Sequence, residues 1–195
     1  LSGENSLDAA IAMRTIAEVL EEELEQYEEA EELYKRSLAI HKAELAPDDL
    51  ELATVHNMLG GLYRDMGDEW FEVAETMLRS SLAARQAKLP PHHYEIANSA
   101  ANLAALLREK GNPEDALPLM ETAVAIEEKA YGPDHHEVAE SLGTMADVFE
   151  EIGTSDALDQ AILLRRRALR ILEQLNHPDV ALHCNNLGLL LDKDK

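Results

Sequence analysis

The sequence holds a single cysteine, Cys184, so no internal disulfide can form. That suits a reducing compartment. Aromatic residues are scarce at 4%, while Ala and Leu are plentiful, a profile that favours closely packed helices over a sheet. Positive charge is in short supply too. Seventeen Lys and Arg stand against 39 Asp and Glu, leaving a formal charge of −22. Such a surface repels phosphate backbones and anionic headgroups, so nucleic acid and membrane surfaces are not expected partners. No apolar run approaches the roughly 18 residues of a membrane span. A signal peptide is missing as well, because Glu4 and Asn5 stand where its apolar core would be. The chain does not begin with Met, so we expect a fragment or processed product, acting in the cytoplasm. Catalytic devices are also lacking: there is no phosphate-binding glycine loop, no zinc-type cysteine pairing and no HExxH. We therefore expect no enzyme, no cofactor and no metal site.

High net charge can signal disorder. Against that, 46% of the residues are hydrophobic, spread evenly along the chain. They also repeat. The pairs Ala9-Ala10, Leu52-Ala53, Ile96-Ala97, Val138-Ala139 and Val180-Ala181 recur every 42 to 44 residues. Seven residues into each unit comes a large apolar residue: Ile16, Leu59, Leu103, Met145 and Leu187. A small one follows at once: Ala17, Gly60, Ala104, Ala146 and Gly188. Four residues past the large position stands a second bulky group: Leu20, Tyr63, Leu107, Phe149 and Leu191. The spacing sets a bulky stripe and a small notch on one helical face, where a neighbouring helix can approach closely.

Gly67, Gly111 and Gly153 close the first helix of three repeats, since glycine tolerates the left-handed turn that ends helices. The first repeat has Leu24 there, so its helix is expected to run on further. A second helix carries Ala30, Ala74, Ala116 and Ala161, and seven residues later Ser37, Ser81, Ala123 and Ala168. Pro47, Pro91, Pro133 and Pro178 break the chain before the next start. Asp48 with Glu51, and Asp134 with Glu137, have capping-box spacing. Extra residues near Trp70 and Ser155 are expected to change local stacking only.

This pattern resembles the tetratricopeptide repeat, in the longer variety of kinesin light chains and nephrocystin-like proteins. The stretches Tyr27 to Glu31, Lys35 to Ile40, Gly132 to His135 and Asn185 to Gly188 carry the likeness. It implies an all-α fold: a right-handed superhelical solenoid of antiparallel helix pairs. Residues 1–195 would form one array of about four and a half repeats, beginning near 9, 52, 96, 138 and 180. The fifth unit supplies one helix, acting as a cap or an interrupted repeat.

Several residues invite a chemical reading, each beside a plainer one. Cys184 falls on the apolar stripe and reads as packing rather than a reactive thiol. His92-His93, His135-His136 and His177 occupy equivalent junctions. They read as solvated, with a weak metal- or pH-sensitive edge as the alternative; junctions one repeat apart look too distant for a tight site. The glutamates from Glu21 to Glu32 read as a solvated face. Arg165, Arg166, Arg167 and Arg170 form a basic patch, paired internally or contacting an acidic peptide. Phe71 aligns with Tyr27 as core, and Trp70 is a candidate contact residue.

Stacked helix pairs expose a face suited to an extended peptide or a partner helix. In the resembling family the first helix of each pair lines that groove. In the third repeat the packed residues leave Asn98, Asn102, Ala105 and Arg108 on an adjacent face. The matching residues are Thr54, Asn57, Gly61 and Arg64 in the second repeat, and Asn185 with Asn186 in the last helix. The fourth carries Glu140, Asp147 and Glu151. Amides can pair with a peptide backbone, and the charges would change sign along the groove. The expected function is a protein-binding scaffold, an adaptor or assembly subunit within a larger complex. The alternative is a sensor or regulatory array of a larger signalling protein.

Overall fold

A computed structural model of the chain describes residues 3, 6–22 and 24–193. Among these, nine α-helices and no strand occur. They are α1 (Leu7–Glu22), α2 (Tyr27–Glu44), α3 (Leu50–Asp65), α4 (Phe71–Lys88), α5 (Tyr94–Glu109), α6 (Pro113–Tyr131), α7 (His136–Ile152), α8 (Ser155–Leu175) and α9 (Val180–Lys193). One turn of 3₁₀ helix, Asp68–Trp70, precedes α4. The helices divide into two compact units, Leu1–Pro90 and Pro91–Lys195. In the first, α1 packs on α2, α2 on α3, and α3 on α4; in the second, α5 through α9 pack in the same sequential way.

The notch positions explain how the helices of a pair approach. Ala17, Ala104 and Ala146 are wholly buried. A Cβ on Gly60 would sit 2.6 Å from Cγ of Leu78, so α3 and α4 touch where only hydrogen fits. The second helices carry buried small residues of their own, among them Ser37, Ser81, Ala123 and Ala168. Ser37 uses its place to donate to the Ala10 carbonyl at 2.8 Å. In the second unit Val138, Leu142, Ile171 and Leu172 form one apolar cluster, and Ala146, Ala161, Ile162 and Leu190 form another. Each large aliphatic withdrawn from water contributes roughly 1.5–3 kcal/mol, which makes the stripe the main source of stability.

Helix ends follow the glycines in three repeats, with Gly67, Gly111 and Gly153 all at positive φ. Helix α1 does not run on past Leu24. It ends at Glu22, and Glu25 takes the left-handed conformation (φ 52°) that glycine takes elsewhere. Just after it, the Gln26 N–H donates to the Leu20 carbonyl at 2.9 Å and closes the end of α1.

Starts also differ from expectation. The cap of α3 is Asp49, not Asp48: its carboxylate accepts the Glu51 N–H at 2.9 Å. Asp48 instead pairs with Lys88 at 3.0 Å. In later repeats the same place is filled by histidine. Nδ1 of His93 accepts the Glu95 N–H, and Nδ1 of His135 accepts the Glu137 N–H, each at 3.3 Å. His177 accepts from Asp179 at 3.4 Å. Three junction histidines are therefore helix-start acceptors, not merely solvated. Nor are successive junctions far apart, for the His136 and His177 rings stack with centroids 5.6 Å apart.

The stripe is incomplete at both ends. Ile16 is 53% exposed, because α1 has neighbours only on its α2 and α3 sides among the described residues. Ala181, Cys184 and Gly188 of α9 are exposed, and no second helix of a fifth pair covers them among the described residues. Cys184 is thus not a packing residue. Phe71 is half-buried, and Trp70 lies flat on Tyr63 with ring centroids 5.0 Å apart.

Candidate functional site

In the second unit the residue alignment hides a substitution of core by charge. The place four residues after the conserved second-helix alanine holds Tyr34, Leu78 and Met120, all fully buried. In α8 it holds Arg165, which is only 3% exposed. Its guanidinium crosses to α7 and pairs with Asp147, and lies 3.8 Å from Glu150. A buried cation persists only when answered in this way. From the next helix Asn186, Leu189 and Asp192 complete the wall of an open cavity of about 470 Å³.

The electrostatics extend to α5. Arg108 lies 3.6 Å from Glu151 and 3.9 Å from Asp147. Burial pushes the Glu151 carboxyl above its ordinary range, Arg108 draws it down, and Asp147 and Glu150 push it further up. Behind the cavity, His183 fits against Gly143, whose Cβ would fall 2.9 Å from the imidazole Cε1. Burial and then Arg165 hold the His183 ring below its ordinary pKa, against the pull of Asp179, Glu140 and Asp147.

The structure gathers some of the predicted groove residues. Arg108 and Asp147 are neighbours, and Asp147 and Asn186 line one cavity. Asn102 is half-buried on α5, while Asn98 and Asn185 are exposed. In the first unit Asn57 is buried, so its amide is not offered to solvent, and Arg64 is engaged by Asp65 at 2.7 Å. Four cavity residues were not anticipated as such: Glu150, Arg165, Leu189 and Asp192. Glu150 and Asp192 stand at the repeat position of Arg64 and Arg108, twelve residues past the first member of each pair, whereas Glu151 is one residue out of register. Strict counting along the repeat would have found them. The basic patch is paired internally where its contacts are seen, with Arg167 reaching Glu128 at 2.6 Å and the Pro133 carbonyl at 3.2 Å.

The tetratricopeptide repeat family matches residues 8–87 and 95–174. This chain is a tetratricopeptide-repeat protein. Solved structures agree in fold. A putative kinesin light chain from Podosopora anserina with nearly identical TPR-like repeats superposes with a TM-score of 0.82 at 19% identity, covering 96% of this chain and 87% of that one. BtubC (BKLC) from P. vanneervenii gives 0.79 at 21% identity, covering 96% and 75%. Aspartyl phosphate phosphatase F from Bacillus subtilis gives 0.75 at 13% identity, covering 97% and 45%. No curated protein sequence matches the chain. These likenesses in fold place the tetratricopeptide protein among the all-α helical repeat solenoids. Such repeats generally serve as protein-interaction scaffolds, and no catalytic family is indicated. Among the described residues, no helix is long and apolar enough to cross a membrane.

Proposed function

We propose that this protein is a scaffold that binds a segment of a partner protein in the cavity between α7, α8 and α9. The observation that carries the reading is the cavity itself. It is open, about 470 Å³, and edged by Asp147, Glu150 and Asp192 around one buried arginine. Three carboxylates against one guanidinium leave an excess of negative charge, which suits a Lys or Arg side chain. Leu189 offers an apolar contact, and the Asn186 amide offers both a donor and an acceptor to a peptide backbone. Arg108 is already answered by Glu151 and Asp147, so its pull on an acidic ligand is weakened. The preferred ligand is an extended or helical segment with a basic residue placed over the acidic rim. Net charge speeds its arrival, and added salt slows it.

The test is selection from a display library of linear peptides against the intact chain. Basic residues next to an apolar one should be enriched, and Glu150→Lys should abolish the enrichment. Selection of acidic peptides, or the same peptides with Glu150→Lys, would contradict the assignment.

A further inference from the structure

Two histidines and a glutamate meet at the start of α7, outside the peptide cavity. His136 is the first residue of α7, and Glu140 follows one turn later on the same face. His177 comes from the turn between α8 and α9 and lays its ring parallel to that of His136. One ligand atom of each of the three lies within 4.8 Å of the other two.

We propose that His136, Glu140 and His177 form a binding site for a divalent transition-metal ion of the zinc class. The donor set selects the ion. Two imidazoles and one carboxylate suit Zn²⁺, Co²⁺ or Ni²⁺, whereas Ca²⁺ and Mg²⁺ demand six or more oxygens. Three protein ligands leave a fourth position for water.

The polar groups here are incompletely used without an ion. Nδ1 of His136 is buried and has no hydrogen-bond partner; the closest Glu140 oxygen stands 3.9 Å away. A buried ring nitrogen left so is an exception that asks for a partner. His177 has the support that metal-bound histidines use. Its Nδ1 lies 3.4 Å from the Asp179 carboxylate. If Nε2 takes the ion, the ring proton sits on Nδ1 and is donated to Asp179, in exchange for the long bond that Nδ1 accepts from the Asp179 amide. Glu137, also in the first turn of α7, adds to the negative field around the site.

Closing the site takes modest movement. Ligand atoms bound at about 2 Å in a tetrahedron stand roughly 3.3 Å apart. Side-chain rotation of His177, in its turn, and of Glu140, exposed on α7, brings them in while the stacked rings tilt apart. An ion held there ties the first turn of α7 to the turn that leads into α9. It acts as a clamp on the last helix.

Zn²⁺ alone, added to the intact chain, tests this. One equivalent should bind and raise the melting temperature, and one equivalent of Co²⁺ should develop visible absorption bands. His136→Gln and Glu140→Gln should each weaken Zn²⁺ binding at least about tenfold. His177→Asn should do the same while keeping a cap acceptor, so that helicity is unchanged. His92→Gln should leave binding as in the parent. No binding up to about 1 mM Zn²⁺ would overturn the proposal. So would equal affinity in the parent, His136→Gln and His177→Asn, which would assign the ion to other surface groups.

Discussion

The guanidinium of Arg165 in α8 reaches across to the carboxylate of Asp147 in α7, from a position that three other repeats fill with Tyr34, Leu78 and Met120. A buried ion pair is weak evidence for stability, because desolvation offsets most of the attraction. Arg165→Met, which copies Met120, is therefore expected to change folding free energy by less than about 1 kcal/mol in either direction. Removing the partners instead strands a charge that is 3% exposed. Asp147→Asn with Glu150→Gln should cost about 3 kcal/mol or more. Denaturant melts of the two variants check the contrast. Equal destabilisation would mean that the arginine is there for packing alone.

Ala104 is wholly buried in the notch of α5. Ala104→Leu puts three extra heavy atoms into that contact, and overpacking costs roughly 1–3 kcal/mol. In a repeat array the loss falls mainly on the adjoining interfaces. A thermal melt unchanged by this substitution would refute the assignment of the packed face.

Glu127 in α6 is 8% exposed. Burial first, then the charges of Glu137 and Glu140, push its carboxyl up to about 7, although a bond from Ser141 draws it down. Its folded pKa lies above the ordinary value of 4.5. Below that value both states hold the proton and nothing is lost. As pH rises from 4.5 to about 7 the unfolded chain releases its proton first, and the fold weakens. Above about 7 the loss is complete. Glu127→Gln should match the parent near pH 4 and exceed it at pH 8, by about 3 kcal/mol at most. Melts of both proteins across pH 4 to 8 give the difference directly.

Glu25 holds φ 52°, a conformation that costs an ordinary residue about 1–2 kcal/mol. Glu25→Gly removes that strain but frees the unfolded chain by about 0.5–1 kcal/mol. The net gain should be about 0.5 kcal/mol, seen as a slightly higher melting temperature. A loss would show that the Glu25 side chain holds the turn.

Much of the fold was legible because its period is carried by steric facts. Notch residues must be small and stripe residues large wherever helix meets helix, so the Gly60 notch could be read from spacing alone, while its partner Leu78 came from the structure. The ends were not legible in that way. Ile16 and Cys184 obey the pattern, yet they are exposed, because a repeat pattern assumes a neighbour on each side. The histidine acceptors were missed because capping statistics favour Asp and Ser, while the place of Asp49 in the repeat pointed to His93, His135 and His177 all along. For the candidate site, Asp147, Asn186 and Arg108 came from counting faces of a helix. Arg165 belongs to the second helix of its pair, so a search confined to first helices recognised its charge and missed its place at the cavity.

The central claim is that the cavity between α7, α8 and α9 takes a basic partner segment. The direct measurement is the dissociation constant of one library-selected peptide for the parent and for Asn186→Ala with Asp192→Asn, with helicity and melting temperature followed alongside. The account predicts binding at least about tenfold weaker, a change of roughly 1.4 kcal/mol, with folding unaffected and with affinity falling as salt rises. Equal dissociation constants for the two proteins would contradict it.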